Sequence, residues 1–244
     1  MKRILCLFAL IIALTGCQVA QLTTLYNDDT SIEENGIRVD AEHRPITGVY
    51  QKHTKKMRLV EESHYVNGLL HGISKTYDNN GHLLMVAQYE KGMPNGKTVT
   101  YYDNGQEKDV LNYVKGKLSG GQFGYFKDGI LMYKSSYIRG KKHGVFTEYY
   151  PSGTVKSATT YRNDKPHGPA RLYTKGNRVI SYTEYVRGLR EGPAFSYYKD
   201  EKPHILAYRH KDKLNGISKE FDKNGNLVNL TTYKDGEVVD SVKF

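Results

Sequence analysis

Residues 137–160, YIRGKKHGVFTEYYPSGTVKSATT, decide how this chain is read. The segment opens on Tyr137, has Gly140 and Gly144 at its fourth and eighth positions, and carries Tyr149-Tyr150 before a Ser152-Gly153 pair. A new copy starts at Tyr161, and earlier copies start at Tyr113, Tyr89 and Tyr65, each a step of 24 residues. Tyr185 keeps the step, Tyr208 comes one residue early and Tyr233 one late. A fixed period in the range of roughly 20–50 residues marks one supersecondary unit stacked many times.

Positions are numbered from the tyrosine of each copy. Positions 16–17 are Asn80-Gly81, Asn104-Gly105, Asp128-Gly129 and Ser152-Gly153. Asn-Gly and Asp-Gly between aromatic or β-branched runs predict two-residue type I′ hairpin turns. Gly176-Asn177 shifts the glycine and Asp200-Glu201 loses it. Such a turn sets position 13 opposite position 20, and position 8 opposite the next copy's tyrosine. The position-13 aromatics then share one face, and the position-1 tyrosines the other, each covering a cross-strand glycine. No window beyond the first residues keeps a helical apolar stripe. The expected fold is all-β: an elongated, twisted antiparallel meander of 24-residue hairpin repeats, roughly 70–80 Å long at about 4.8 Å per strand. A degenerate copy at 41–64 and a half copy at 233–244 serve as caps.

The pattern Y-x-x-G-x-x-x-G-x₄-Y-[YF]-x-[ND]-G, seen over nearly all of residues 41–244, resembles the bacterial variant of the MORN repeat. That variant is common in proteins described as antitoxins and in exported lipoproteins. The resemblance implies a binding protein, of the immunity or antitoxin kind, and no enzyme.

The first residues read differently. Lys2 and Arg3 precede an apolar run from Ile4 to Leu14, too short to cross a bilayer, which needs about 20 residues. This is the pattern of a secretory signal, expected over 1–16. Leu14-Thr15-Gly16-Cys17 resembles the lipobox of bacterial lipoproteins, so Cys17 is the expected lipidation site. Cys6 leaves with the signal, and Cys17 remains as a lone thiol that acylation explains. Lipid attachment anchors without a transmembrane helix. Gln18 after the cysteine, by the same resemblance, implies the outer membrane, facing the periplasm. Residues 17–40, polar and outside the repeat register, are expected to be a tether.

The chain has 36 basic and 26 acidic residues, a net charge of +10, or +8 without Lys2 and Arg3. Export argues against nucleic acid as the partner. Anionic lipid, cell wall or an acidic protein suits the charge better.

Nine histidines invite a metal reading. His71, His143 and His167 share position 7, but equivalent positions in adjacent copies lie about 10 Å apart, too far for one ion. Asn95, Ser119, Glu191 and Asn215 fill the same position elsewhere, as loop residues do. There is no nucleophile elbow and no phosphate loop, and the acids Asp103, Asp128 and Asp222 fall in turns. No catalytic residue, metal or cofactor is expected.

Position 14 stands out. It holds Tyr102, Phe126, Tyr150 and Tyr198, but Asp78, Thr174 and Asp222 in other copies. An aromatic ladder along one face is the expected protein-binding stripe, since solenoids bind along extended surfaces. The alternative is that the rings pack on one another. The function expected from the sequence is lipid-anchored protein binding in the periplasm, with a toxin or effector as partner. The alternative is an envelope structural or assembly factor touching cell wall or lipid.

Overall fold

A computed structural model describes residues 24–244; the signal segment, Cys17 and the start of the tether lie outside them. The described residues form 23 strands, 21 of them in one sheet and two in a separate hairpin. In the repeats, strands pair with their neighbours in sequence, antiparallel, as Gly144–Tyr149 does with Val155–Arg162 and that strand with Lys165–Tyr173. The all-β meander of 24-residue hairpins is therefore observed.

The two kinds of turn are the reverse of the sequence expectation. The tight I′ turn lies at positions 3–4. Arg139 and Gly140 have φ of 51° and 84°, and Ile138 pairs with Lys141 across them. Two consecutive positive φ values match the twist of the flanking strands. At positions 14–18 the loop is longer. Gly153 N–H donates to the Tyr150 carbonyl, and Tyr150 N–H to the Thr154 carbonyl, both at 2.8 Å. Position 17 alone is left-handed here, so the loop is a type I turn closed by one such residue, and the I′ assignment is corrected. The copies that looked blurred keep the geometry, with Asn177 at φ 62° and Glu201 at φ 72°.

The longer loop moves the register. Position 13 lies opposite position 19, not 20, as Tyr149 pairs with Val155 across a bulge. Position 8 does face the next tyrosine: Gly144 pairs with Tyr161, Gly72 with Tyr89 and Gly216 with Tyr233. The ring does not cover the glycine, however. A Cβ built on Gly144 meets only the Ser136 Cβ, at 3.8 Å. Ring-over-glycine packing occurs instead at Gly124, where a Cβ would come within 2.1 Å of the Tyr133 ring.

Adjacent hairpins are tied at the I′ edge by a bond that recurs every copy. The position-4 N–H donates to the position-6 carbonyl of the preceding copy, as in Gly92 to Leu70 and Gly140 to Leu118, at 2.8 and 2.7 Å. A second tie comes from position 7. Its side chain accepts the position-3 N–H of the next turn: Asn95 from Lys115, His167 from Arg187, Glu191 from Lys211. This satisfies turn donors that would otherwise need water, and it gives position 7 a task that histidine, asparagine and glutamate perform alike.

Residues paired across strands point to one side. Positions 10 and 23 thus form a row across the sheet, on the face of the position-1 tyrosines: Ser63, Ser74, Ala87, Thr98. These side chains are small and buried, and Ser63 and Ser74 share a hydrogen bond of 2.8 Å. The opposite face has its own buried centre at Val99 and Val110. The position-13 rings belong to that second face, where Phe195 meets Tyr197 edge-on.

The folded body begins before residue 41, which corrects the tether boundary. Leu25–Tyr26 runs parallel to Gly48–His53, and Ser31–Glu34 pairs with Ile37–Asp40 around Asn35-Gly36. This hairpin closes the first copy. Val39, Ile46 and Tyr50 are among the most buried side chains, and the Arg38 guanidinium lies 3.8 Å from the Tyr50 ring centre. Apolar residues at 37 and 39 suffice to build such a cap, although they have no place in the repeat.

Candidate binding groove

The face of the position-1 tyrosines forms a groove. Rings lean on it from one side, as Tyr161 meets Phe146 edge-on at 6.4 Å and Tyr65 meets Tyr50 at 6.2 Å. Lys142 lies 4.4 and 4.7 Å from the Phe146 and Tyr161 ring centres, a cation over two aromatic faces. In the C-terminal half the groove holds a hollow of about 370 Å³. Thr183, Ala194, Ala207, Ser218 and Thr231 form its floor, one from each of five successive long strands. A single sheet can line one hollow with five strands only by curling toward that face.

The hollow coincides with a substitution. Gly192 at position 8 pairs with Arg209, not with a tyrosine. Arg209 is 24 residues after Tyr185 and 24 before Tyr233. The period is therefore unbroken; an arginine occupies the tyrosine slot, and the neighbouring Tyr208 turns away, 49% exposed. Arg209 is half-buried and lines the groove with Arg190. The two cations are neutralised differently. Arg190 pairs with the Asp212 carboxylate at 2.9 Å, whereas Arg209 donates only to the Asp212 carbonyl, also at 2.9 Å. Burial, and then the nearby Arg190, push the Arg209 guanidinium below its ordinary pKa. Among the described residues Arg209 has no ion-pair partner. The 24-residue spacing carries this signal in the sequence, and the adjacent Tyr208 masks it.

The position-14 residues lie at the opposite, loop edge. Tyr102, Tyr150 and Tyr198 each donate a hydroxyl bond to the carbonyl at position 13 of the next copy: Tyr125, Tyr173 and Phe221, at 2.8, 2.9 and 2.9 Å. Phe126 has no hydroxyl to give. All four are half-buried, and no ring–ring contact joins any two of them. The copies without an aromatic use a different chemistry. Asp78 and Asp222 accept N–H bonds from their own loops, and Thr174 does so from Arg178. Position 14 thus alternates between tying its own loop and tying the next one, which accounts for its variation.

Several of the histidines make comparable local bonds. His64 bonds the Ile73 carbonyl, His82 the Asp78 carboxylate and His210 the Glu191 carboxylate. Among the described residues no three of His, Cys, Asp and Glu gather in metal-binding geometry. Cys17 lies outside the described residues.

The MORN repeat variant family matches residues 70–91, 142–163 and 214–235, and the MORN repeat family matches 160–178. Each variant match starts at position 6, and the third does so only when Arg209 is counted as position 1. No curated protein matches the chain. Among solved structures it is similar to alternansucrase in complex with isomaltononaose, at 14% identity and a TM-score of 0.24. That match covers 81% of this chain and 16% of the other, so the chain spans about a sixth of that protein.

Proposed function

We propose, for a chain built from MORN repeats, that it is a non-catalytic protein held to the outer membrane through lipidated Cys17 and binding another protein in the periplasm. The observation that carries this reading is the curled groove, where half-buried tyrosines and small hydroxyl side chains from successive hairpins present one extended surface. Tyrosine is favoured at such contacts because its ring buries area at low entropic cost while its hydroxyl still bonds. The contact continues onto the half-buried position-14 rings. A toxin or secreted effector is the partner in this reading, and occupying its surface is how it is neutralised.

A second reading rests on the I′ edge. Val114, Ile138 and Val186 are exposed there beside Lys115, Arg139 and Arg187. Aliphatic tips among cations suit an anionic lipid or cell-wall surface, as an envelope structural or assembly factor requires.

Capture from envelope extracts, followed by mass spectrometry, separates the two. Tyr102→Ala and Tyr150→Ala are expected to weaken capture of a protein partner at least tenfold. Tyr102→Phe and Tyr150→Phe lose about 1 kcal/mol of hydrogen bonding but keep the ring, and so keep capture. Equal capture by the alanine and wild-type chains counts against the stripe. Cys17→Ser is expected to move the protein into the soluble fraction, since two or more acyl chains are the strong anchor. A variant that stays wholly membrane-bound at high salt opposes lipid anchoring.

A further inference from the structure

We infer that the hollow at Arg209 is a carboxylate-binding subsite that receives an acidic side chain of the protein partner. This rests on the protein-binding reading and adds the chemistry of the contact. Three observations carry it. Arg209 stands in a slot that tyrosine fills in the other copies from Tyr65 to Tyr233, and it lines a hollow of about 370 Å³. Its guanidinium is half-buried and fixed by one bond to the Asp212 carbonyl, which leaves most of its five N–H donors free. The one carboxylate next to it, Asp212, is committed to Arg190 through both the Arg190 backbone N–H and Nε, each at 2.9 Å.

A half-buried cation without a counter-charge is costly, and a carboxylate accepted in the fork of a guanidinium compensates it with two parallel bonds. Ser181, Ser218 and Asn229 line the same hollow and supply hydroxyl and amide donors for the second oxygen. Glu220 is the acidic residue of the lining. It is exposed and pairs with neither arginine, so it remains solvated and does not fill the subsite.

The probe is an acetylated, amidated tri-glutamate peptide titrated into the full mature chain, read by the side-chain Nε–H resonance of Arg209. Saturable binding that shifts this resonance is expected. Arg209→Gln is expected to weaken it at least tenfold, and Lys219→Gln, exposed on the opposite face, less than twofold. Equal losses in both variants would make the effect a diffuse basic surface and overturn the inference, as would the absence of saturable binding. Inorganic phosphate in place of the peptide tests the source of the anion. A response of Arg209 to phosphate at least as strong as to peptide overturns the carboxylate assignment. Arg209→Tyr guards against misfolding, because it restores the residue of the other copies. It is expected to melt no lower than the wild-type chain and to have lost peptide binding; retained binding overturns the inference. Partner capture separates the two levels. Peptide binding at Arg209 without any captured protein leaves the subsite standing and removes the protein-binding reading. Equal capture by wild type and Arg209→Gln removes the subsite and leaves that reading.

Discussion

Gly144→Val is expected to destabilise the fold by about 2–3 kcal/mol, Gly144→Ala by somewhat less, and Ser152→Ala by no more than about 0.5 kcal/mol. The cost comes from the backbone. Gly144 has φ of 94°, a conformation that a residue with a Cβ adopts only under strain and a β-branched residue worst of all. Crowding contributes little, because a Cβ there would meet nothing closer than 3.8 Å. Gly144→Asn distinguishes the two causes. Asparagine is larger than alanine but several-fold enriched at positive φ, so it is expected to be the milder change. Urea unfolding of the three Gly144 variants gives the order directly. Asparagine proving worse than alanine would return the explanation to side-chain crowding. Ser152, by contrast, is exposed and bonds only the Thr154 hydroxyl, at 2.9 Å.

That correction shows what the sequence can and cannot display. The pairing of Gly144 with Tyr161 was legible, because a fixed period and a hairpin leave few registers. The reason for the glycine was not, since a covering ring and a positive φ demand the same residue. The turns failed similarly. Asn-Gly serves an I′ turn and equally a type I turn with a left-handed fourth residue. Only the bonds from Gly153 to Tyr150 and from Tyr150 to Thr154 separate them. The odd variation at position 14 was visible, but its cause lies 23 residues away, at the carbonyls of Tyr125, Tyr173 and Phe221. Arg209 was the reverse case. The steps of 24 residues from Tyr185 and to Tyr233 place it in the slot, although the adjacent Tyr208 carries the aromatic ring. The hairpin at 31–40 has no period at all, so nothing in the repeat pattern could announce it.

That hairpin sets the other large effect. Tyr50→Ala is expected to remove about 3–5 kcal/mol, the range for deleting a buried aromatic ring, and to lower Tm by roughly 10 °C. Tyr50 is 1% exposed and occupies position 10 of the first copy, where Ser74 and Ala170 stand in later ones. In the first copy the ring at this position is enclosed: Arg38 covers one face at 3.8 Å, and Tyr65 meets the ring at 86°. Its hydroxyl donates to the Asp28 carboxylate, joining the segment before the hairpin to the sheet. Burial, and then Asp28, hold the phenol well above its ordinary pKa. Tyr50→Phe keeps the ring and leaves Asp28 without its donor, so its cost is expected near 1–2 kcal/mol. In a repeat array the contacts run only between neighbours, so loss of a cap should unravel the near end first. Hydrogen exchange in Tyr50→Ala is therefore expected to accelerate across Gly48–His53 and Leu59–Val66 while Val179–Val186 stays protected. Uniform acceleration along the chain would mean that the sheet unfolds as one unit, and that Arg38 and Tyr50 stabilise the whole molecule and not its first hairpins.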